Sequence, residues 1–493
     1  LDFISFIIYI FILFADDGGF EIGAYRNKIC QTPNIDALAQ RSVIFNNAFT
    51  SVSSCSPSRA ALLTGTPSHQ NGMYGLHHGV HHFNSFDNIT SLPNALRRRG
   101  IMTGIIGKKH VGPQSVYEFD YEQTELNNHI NQVGRNITHI KLLAREFMQQ
   151  AKLANKSFLL YVGFHDPHRC GHTEPQYGPF CERFGSGEEG MGIIPDWKPW
   201  YYQWDEIELP YHIQDTEPAR RDVAAQYTTI SRLDQGVGLL LNELDEAGIK
   251  DDTLVIYTSD NGIPFPSGRT NLYEPGVRGP LLIASPEKGA RKNQVSQHMT
   301  SLLDIMPTVL DWFDIDTPAA NHIRQADHPT SLLPILEQEP PHHEDRAVFA
   351  SQTHHEITMY YPMRAIRTQR YKLIHNLNFG MPFPIDQDLY VSPTFQDILN
   401  RTRSKQPLPW YKTLKQYYYR PQWELFDVRK DPTESDNLHG TVLEAALRAR
   451  LSQWQRDTRD PWLCSPDGVL SSAVCMTLDN GLLEYYPRRI LRR

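Results

Sequence analysis

Cys55 lies in a run of small hydroxyl residues, Ser53-Ser54-Cys55-Ser56-Pro57-Ser58-Arg59, with a proline two places on and an arginine four places on. Alone, this pattern is equally compatible with a small buried cysteine before a helix and a surface arginine. Other polar groups narrow the chemistry. Asp16 and Asp17 adjoin, and adjacent carboxylates repel unless a hard cation holds them. Asp260 and Asn261 add two oxygen donors, giving a set that suits calcium or magnesium rather than zinc. Lys108 and His110 offer a cation for an anionic ligand and a base near neutral pH. His165 and His168 bring two more imidazoles, and Arg269 adds a cation that stays charged and is a poor proton donor.

Apolar runs precede four of these groups. Residues 8–14, 102–106, 158–164 and 253–258 read as buried strands, and Asp16-Asp17, Lys108 to His110, His165 to His168 and Asp260-Asn261 follow them. Helices are expected at 34–40, 56–64, 91–99, 137–150, 220–247 and 301–313, with a further strand at 281–285. This alternation predicts an α/β fold, a mostly parallel sheet sandwiched by helices. In open parallel sheets, sites form at the carboxyl ends of the strands. From about Arg346 the texture changes to shorter antiparallel strands at 348–351, 363–367 and 371–375, followed by Trp423 to Asp427 and a last helix at 442–454. The expected division is a catalytic domain at 1–345 and a smaller C-terminal α+β domain at 346–493. Residues 171–210, rich in Gly, Pro, Trp and Tyr, read as a long loop.

The chain has 493 residues, 40% hydrophobic, with a net charge of −8. That is ample for a core and argues against a general nucleic-acid binder. An anionic substrate therefore needs a local cationic pocket. Among six cysteines, Cys170 with Cys181 and Cys464 with Cys475 form close pairs without zinc-site spacing. With Asn-x-Ser/Thr sequons at Asn88, Asn136, Asn155 and Asn400, they favour a secretory-pathway glycoprotein with two disulfides. Cys30 is left as a buried free thiol. The apolar run at 3–14 is shorter than the roughly 20 residues of a spanning helix. Its second half reads as a strand and its first residues as a signal remnant, so no membrane anchor is expected.

The stretch around Cys55, with Ala48-Phe49-Thr50 before it and Ala60-Ala61-Leu62-Leu63-Thr64-Gly65 after it, resembles the signature of the sulfatase family. The resemblance runs from Ala15-Asp16-Asp17-Gly18-Gly19 to Trp423-Glu424-Leu425-Phe426-Asp427 and Asp431-Pro432. It implies an alkaline-phosphatase-like fold and oxidation of Cys55 to formylglycine by a formylglycine-generating enzyme. The hydrated aldehyde offers one oxygen to attack sulfur and a second hydroxyl whose proton can be removed to expel sulfate. By the same resemblance, Asp16, Asp17, Asp260 and Asn261 bind one Ca2+, and Lys108 bridges residue 55 and sulfate. His110 takes the second hydroxyl's proton, Arg59 anchors residue 55 and helps neutralise sulfate, and His168 binds sulfate and protonates the leaving group. His165 supports the site or contacts substrate. Arg269 stands where many members have a lysine. A homodimer is also implied.

Longer stretches, at 50–55, 71–76, 80–86, 104–113, 164–172, 263–273 and 381–388, resemble the lysosomal branch that removes the N-linked sulfate from non-reducing-end glucosamine of heparan sulfate. His354, His355, Glu356 and Arg364 are candidates for the sugar pocket. The alternatives are an O-sulfatase acting on sugar or aryl esters, a metal-dependent phosphohydrolase of the same superfold, and a glycan-binding protein on an inactive scaffold.

Overall fold

The computed structural model describes residues 7–127, 133–170, 178–316, 327–341 and 345–464. Nine strands form the main sheet: β1 (Tyr9–Ala15), β2 (Val43–Phe49), β3 (Met102–Gly107), β4 (Tyr121–Thr124), β5 (Phe158–Gly163), β6 (Thr253–Ser259), β7 (Arg278–Gly279), β8 (Leu281–Ala284) and β9 (Gln294–Ser301). Their order is β4-β3-β5-β1-β6-β8-β2-β7, with β9 also paired to β2. From β4 to β6 all pairings are parallel. The sheet turns antiparallel at β8, which pairs antiparallel with both β6 and β2.

Strand β1 shows why its sequence is apolar throughout. Successive side chains point to opposite faces of a strand. Phe11, Leu13 and Ala15 enter one core, and Ile10, Ile12 and Phe14 enter the other. A strand covered on both faces needs apolar residues at every position. The first core is closed by α2 (Ile137–Leu153) and α3 (Glu217–Glu246), and the second receives α1 (Cys55–Thr64). Helix α2 buries Ile137, Ile140, Leu143, Ala144, Phe147, Met148 and Ala151, the stripe of an amphipathic helix. The Asn136 side chain caps it by accepting from His139 N at 3.0 Å.

A second, antiparallel sheet comprises β10 (Val348–Gln352), β11 (Met363–Arg367), β12 (Tyr371–Asn376) and β13 (Trp423–Asp427), in that order. One face packs against Phe49, Leu272, Tyr273 and Val277 of the larger layer. The other is covered by Leu447, Leu451 and Trp454 of α4 (Val442–Asp457). Ser351 N donates to Ser51 O at 2.8 Å, so the small sheet abuts the loop leading to Cys55.

Several expectations change. The sheet carries an antiparallel side in which β2 and β9 had not been foreseen. The segment expected as one helix at 301–313 starts as a 3-10 turn at Leu302–Asp304 before the helix Ile305–Trp312. The described part of the expected loop, 178–210, contains no helix or strand beyond isolated bridges. Cys170 and Cys181 are disulfide-bonded, and Cys30 is a buried free thiol. Cys475 lies outside the described residues, so the Cys464–Cys475 pairing falls there too. Asn88, Asn155 and Asn400 are exposed and Asn136 is half-buried. Among the described residues no helix is long and apolar enough to cross a membrane.

Candidate functional site

Strands β3, β5, β1 and β6 are consecutive and parallel, and their ends are level: Gly107 pairs with Gly163, Phe14 with Gly163, and Ala15 with Ser259. The polar groups that follow them therefore emerge side by side. The turn out of β3 depends on two glycines. Gly107 has φ +89°, and a Cβ there would strike the Gly163 carbonyl, which instead accepts from Lys108 N at 2.7 Å. Asp17 (φ 61°) and His110 (φ 54°) also sit in the left-handed region, which is costly for non-glycine residues and concentrates at functional sites.

Cys55 opens α1 at the mouth of this edge, with Sγ 4.0 Å from Asp17 Oδ1. Burial pushes its thiol well above the ordinary value, so the unmodified side chain is a poor nucleophile. Potential ligand atoms of Asp16, Asp17, Cys55 and His168 lie within 4.8 Å of one another. Asp260 joins by accepting Asp17 N through Oδ1 at 3.0 Å, and Asn261 by donating Nδ2 to Asp17 Oδ1 at 2.7 Å. Asn261 Oδ1 is buried and has no hydrogen-bond partner. Three clustered carboxylates and an orphaned amide oxygen fit a hard, oxygen-seeking dication. The electrostatics agree. Burial raises Asp17 to about 6 against the pull of Arg269, and burial with the Asp16 charge raises Asp260 to about 7. Asp16 is also buried, but Lys108, His168 and Arg59 outweigh that and hold it well below the usual range.

The cations are largely occupied. Lys108 Nζ bonds both Asp16 oxygens at 2.8 and 2.6 Å. Arg59 is fully buried and bonds Asp260, Asp16, the Lys108 carbonyl and the Tyr161 hydroxyl. The expected sulfate contact from Arg59 is therefore corrected. Its five N–H donors are all engaged by protein, and it holds the carboxylates in place. Arg269 donates to Asp17 Oδ2 and His168 Nε2 at 2.6 and 2.9 Å through Nη1, and contacts Asp386 and Asp388 through Nη2.

The histidines differ in state. His168 Nδ1 lies 2.7 Å from Arg169 O and donates to it, while Nε2 accepts from Arg269. This tautomer presents a lone pair at Nε2, so the expected proton-donor role requires the Arg269 bond to open first. Burial lowers both His165 and His168 to about 4. His165 Nδ1 lies 3.7 Å from Asp16, with Nε2 unpartnered. Burial and Lys108 lower His110 well below the ordinary value, and its Nδ1 has no partner. Its backbone N donates to Glu125 Oε1 at 2.9 Å, and its ring lies 4.5 Å from that of His78.

The sugar-pocket candidates separate. His355 Nδ1 is 2.8 Å from Ser54 Oγ, beside Cys55. His354 is half-buried against Phe83 and Tyr360, and Glu356 accepts from Gln387 N at 3.1 Å. Arg364 is corrected: it is fully buried, pairs with Asp460 at 2.5 and 2.9 Å, and donates to the Gln352 and Met363 carbonyls. Asp386, Asp388, Glu125 and Gln352 were not singled out in the sequence. Gln352 accepts from Ser53 N and donates to Thr270 O, tying β10 to the cysteine loop. Only the Asp-Gln-Asp spacing at 386–388, inside a longer stretch of family resemblance, offered any signal.

Residues 8–315 match the sulfatase family model, and residues 268–383 match the model described as N-sulphoglucosamine sulphohydrolase, C-terminal. The chain is 60% identical over 482 residues to human N-sulphoglucosamine sulphohydrolase, covering 96% of this chain and 95% of that one. A protein solved in complex with its substrate D-glucosamine-2-N,6-O-disulfate shares the fold with TM-score 0.65 at 20% identity, covering 94% and 99% of the two chains. A 2-O glycosaminoglycan sulfatase does so with TM-score 0.62 at 20% identity, covering 93% and 94%.

Proposed function

The chain belongs to the sulfatase family, and we propose that within it this enzyme hydrolyses the N-linked sulfate of non-reducing-end N-sulfoglucosamine in heparan sulfate. The observation that carries the reading is the 60% identity, over 96% of the chain, to a human enzyme of that name. The site's chemistry supports it.

Asp16, Asp17, Asp260 and Asn261 would hold Ca2+, which supplies a fixed double positive charge for sulfate oxygens. Residue 55, oxidised to formylglycine and hydrated, supplies an attacking oxygen and a second ionisable hydroxyl. The remaining work falls to the chain itself. Lys108 uses its contacts with Asp16 to stand beside residue 55 with an N–H to spare, and offsets charge there. His110 is held neutral by burial and Lys108, with an unpartnered nitrogen ready to accept a proton. Arg59 and Arg269 fix the carboxylates and His168. His168 stands at the cluster of Asp16, Asp17 and Cys55, where it can meet a sulfate oxygen or the departing nitrogen. His355, beside Ser54, and His165 are the remaining substrate candidates.

A lysosomal location is part of this reading, supported by the Cys170–Cys181 disulfide and the exposure of three of the four sequon asparagines, Asn88, Asn155 and Asn400. A homodimer, and a domain boundary between residues 345 and 346, complete it. The test compares sulfate release at about pH 5 from an N-sulfoglucosamine with a reporter aglycone and from an aryl sulfate ester, using formylglycine-bearing protein. Release from the first alone is expected. Release from the ester alone makes this an O-sulfatase.

A further inference from the structure

Arg269 Nη2 contacts two carboxyl groups, Asp386 and Asp388, and among the described residues no second cation pairs with either. Asp386 Oδ1 and Asp388 Oδ2 are buried, and neither has a donor among the described residues. Each carboxyl group places one oxygen against that same Arg269 nitrogen, so the two stand side by side. An ionised carboxylate only accepts, so two of them can bond each other only through a shared proton. Two bare carboxylates at a single nitrogen would also repel strongly in a buried setting.

We propose that Asp386 and Asp388 form an acid–carboxylate pair that holds one proton, neutral on Asp386 and ionised on Asp388, and that this pair is the positioning device for Arg269. The assignment to individual residues follows from their donors. Asp388 Oδ1 accepts the Leu389 backbone N–H at 2.9 Å as well as Arg269. Asp386 has Arg269 alone besides its neighbour. Donors to a carboxylate favour its charged form. Burial raises Asp386 well above the ordinary range, whereas at Asp388 Arg269 and the bond from Asp386 overcome burial and hold it well below.

The pair then carries a single negative charge, matched to the single positive charge of Arg269. That leaves Nη1 to bridge Asp17 and His168 Nε2 at 2.6 and 2.9 Å. With both acids ionised, Arg269 would be drawn off the site. With both neutral, its full charge would compete with a cation for Asp17. The other ionisable groups around the cluster are Asp17, His168, His355 and Tyr417.

The proposal's turnover test rests on the function proposed above; its spectroscopic test does not. Asn is isosteric with a neutral carboxyl group, so the two substitutions are unequal. In full-length, formylglycine-bearing, calcium-loaded enzyme, Asp386→Asn should keep kcat within about threefold, while Asp388→Asn should lower kcat at least about tenfold with KM within about twofold, the signature of a misplaced catalytic group. Equal losses, the reverse order, or an effect on KM alone would overturn the pair. Independently, the infrared difference between wild type and Asp386→Asn at pH 7, taken on protein with unmodified Cys55, should show one protonated-carboxyl stretch lost. An unchanged band overturns the proposal even if Asp388→Asn fails to fold. If wild type releases no sulfate, the function falls and the infrared result still decides the pair.

Discussion

Replacing Arg59 by lysine separates a positioning role from a substrate-binding one. The guanidinium donates from Nε and Nη2 to Asp260 Oδ2 at 3.0 and 2.9 Å, from Nη2 to Asp16 Oδ1 at 3.2 Å, and from Nη1 to Lys108 O at 2.9 Å and the Tyr161 hydroxyl at 3.4 Å. Lysine keeps the charge but gathers three donors on one nitrogen, which cannot span both carboxylates and the carbonyl. Hydrogen bonds to charged groups contribute about 1.5–3 kcal/mol each, so losing two of the three carboxylate bonds costs about 3–6 kcal/mol. That is a large share of a folding free energy of about 5–15 kcal/mol. The assay is denaturant unfolding of Arg59→Lys with chelator and with excess calcium, paired with product inhibition by inorganic sulfate. The midpoint should fall markedly in chelator, while the sulfate inhibition constant of the residual activity stays within about twofold, because no Arg59 donor is free to meet substrate. If the midpoint holds and sulfate binding weakens instead, Arg59 reaches the anion and the inference from its saturated donors is wrong.

Arg364→Met should leave KM within about twofold but destabilise the fold by about 3–5 kcal/mol, because it strands Asp460 as a buried unpaired charge; unfolding and kinetics on one preparation check both halves. In chelator-stripped protein, calcium at 100 times its Kd should stabilise by about 2.7 kcal/mol, and Asn261→Ala should weaken that response; an identical calcium titration in the variant removes Asn261 from the ligand set. His69, bonded at 2.8 and 2.9 Å to Ser351 Oγ and Thr458 Oγ1, is lowered by burial to about 4. Below an unfolded value of about 6.5 the unfolded chain takes a proton that the folded one refuses, so this residue's contribution falls by up to about 3 kcal/mol as pH drops from 6.5 to 4. Glu21, raised by burial to about 7, works in the opposite direction. The measurement is therefore the difference in unfolding midpoint between wild type and His69→Gln across that range, which should narrow or reverse towards acid; a constant difference excludes the effect.

The parallel half of the sheet and its site were legible because one physical rule governs both. A strand buried on two faces must be apolar throughout, so its end is marked by the first polar residues, and those are the ones delivered to the functional edge. Asp16-Asp17, Lys108, His165 and Asp260 all follow that pattern. The antiparallel side was not legible for the converse reason. Val43–Phe49 carries Asn46 and Asn47, and Gln294–Ser301 is mostly polar and partly exposed, so neither stands out as an apolar run. Occupancy was also hidden. A sequence shows that Arg59 and Arg364 are cations but not that five donors of one and a carboxylate partner of the other are already spent. Nor does it show that Asp386 and Asp388, more than a hundred residues from Arg269, close on the same nitrogen.

Charge counting explains why these partners matter together. Among the described residues, five carboxyl groups (Asp16, Asp17, Asp260, Asp386 and Asp388) meet three permanent cations (Arg59, Lys108 and Arg269), while burial keeps His110, His165 and His168 neutral. Left so, the buried cluster has two uncompensated negative charges, which is costly in a low dielectric. One proton shared by Asp386 and Asp388 and one dication held by Asp16, Asp17, Asp260 and Asn261 would turn that deficit into an excess of one positive charge. A sulfate group linked through nitrogen or oxygen carries one negative charge, whereas a phosphate monoester near neutral pH carries close to two. That balance would match a singly charged sulfate, irrespective of the atom that leaves. On that balance, discrimination between N- and O-linked sulfate would have to come from groups outside this charge cluster, for which His355, bonded to Ser54 beside residue 55, is a candidate.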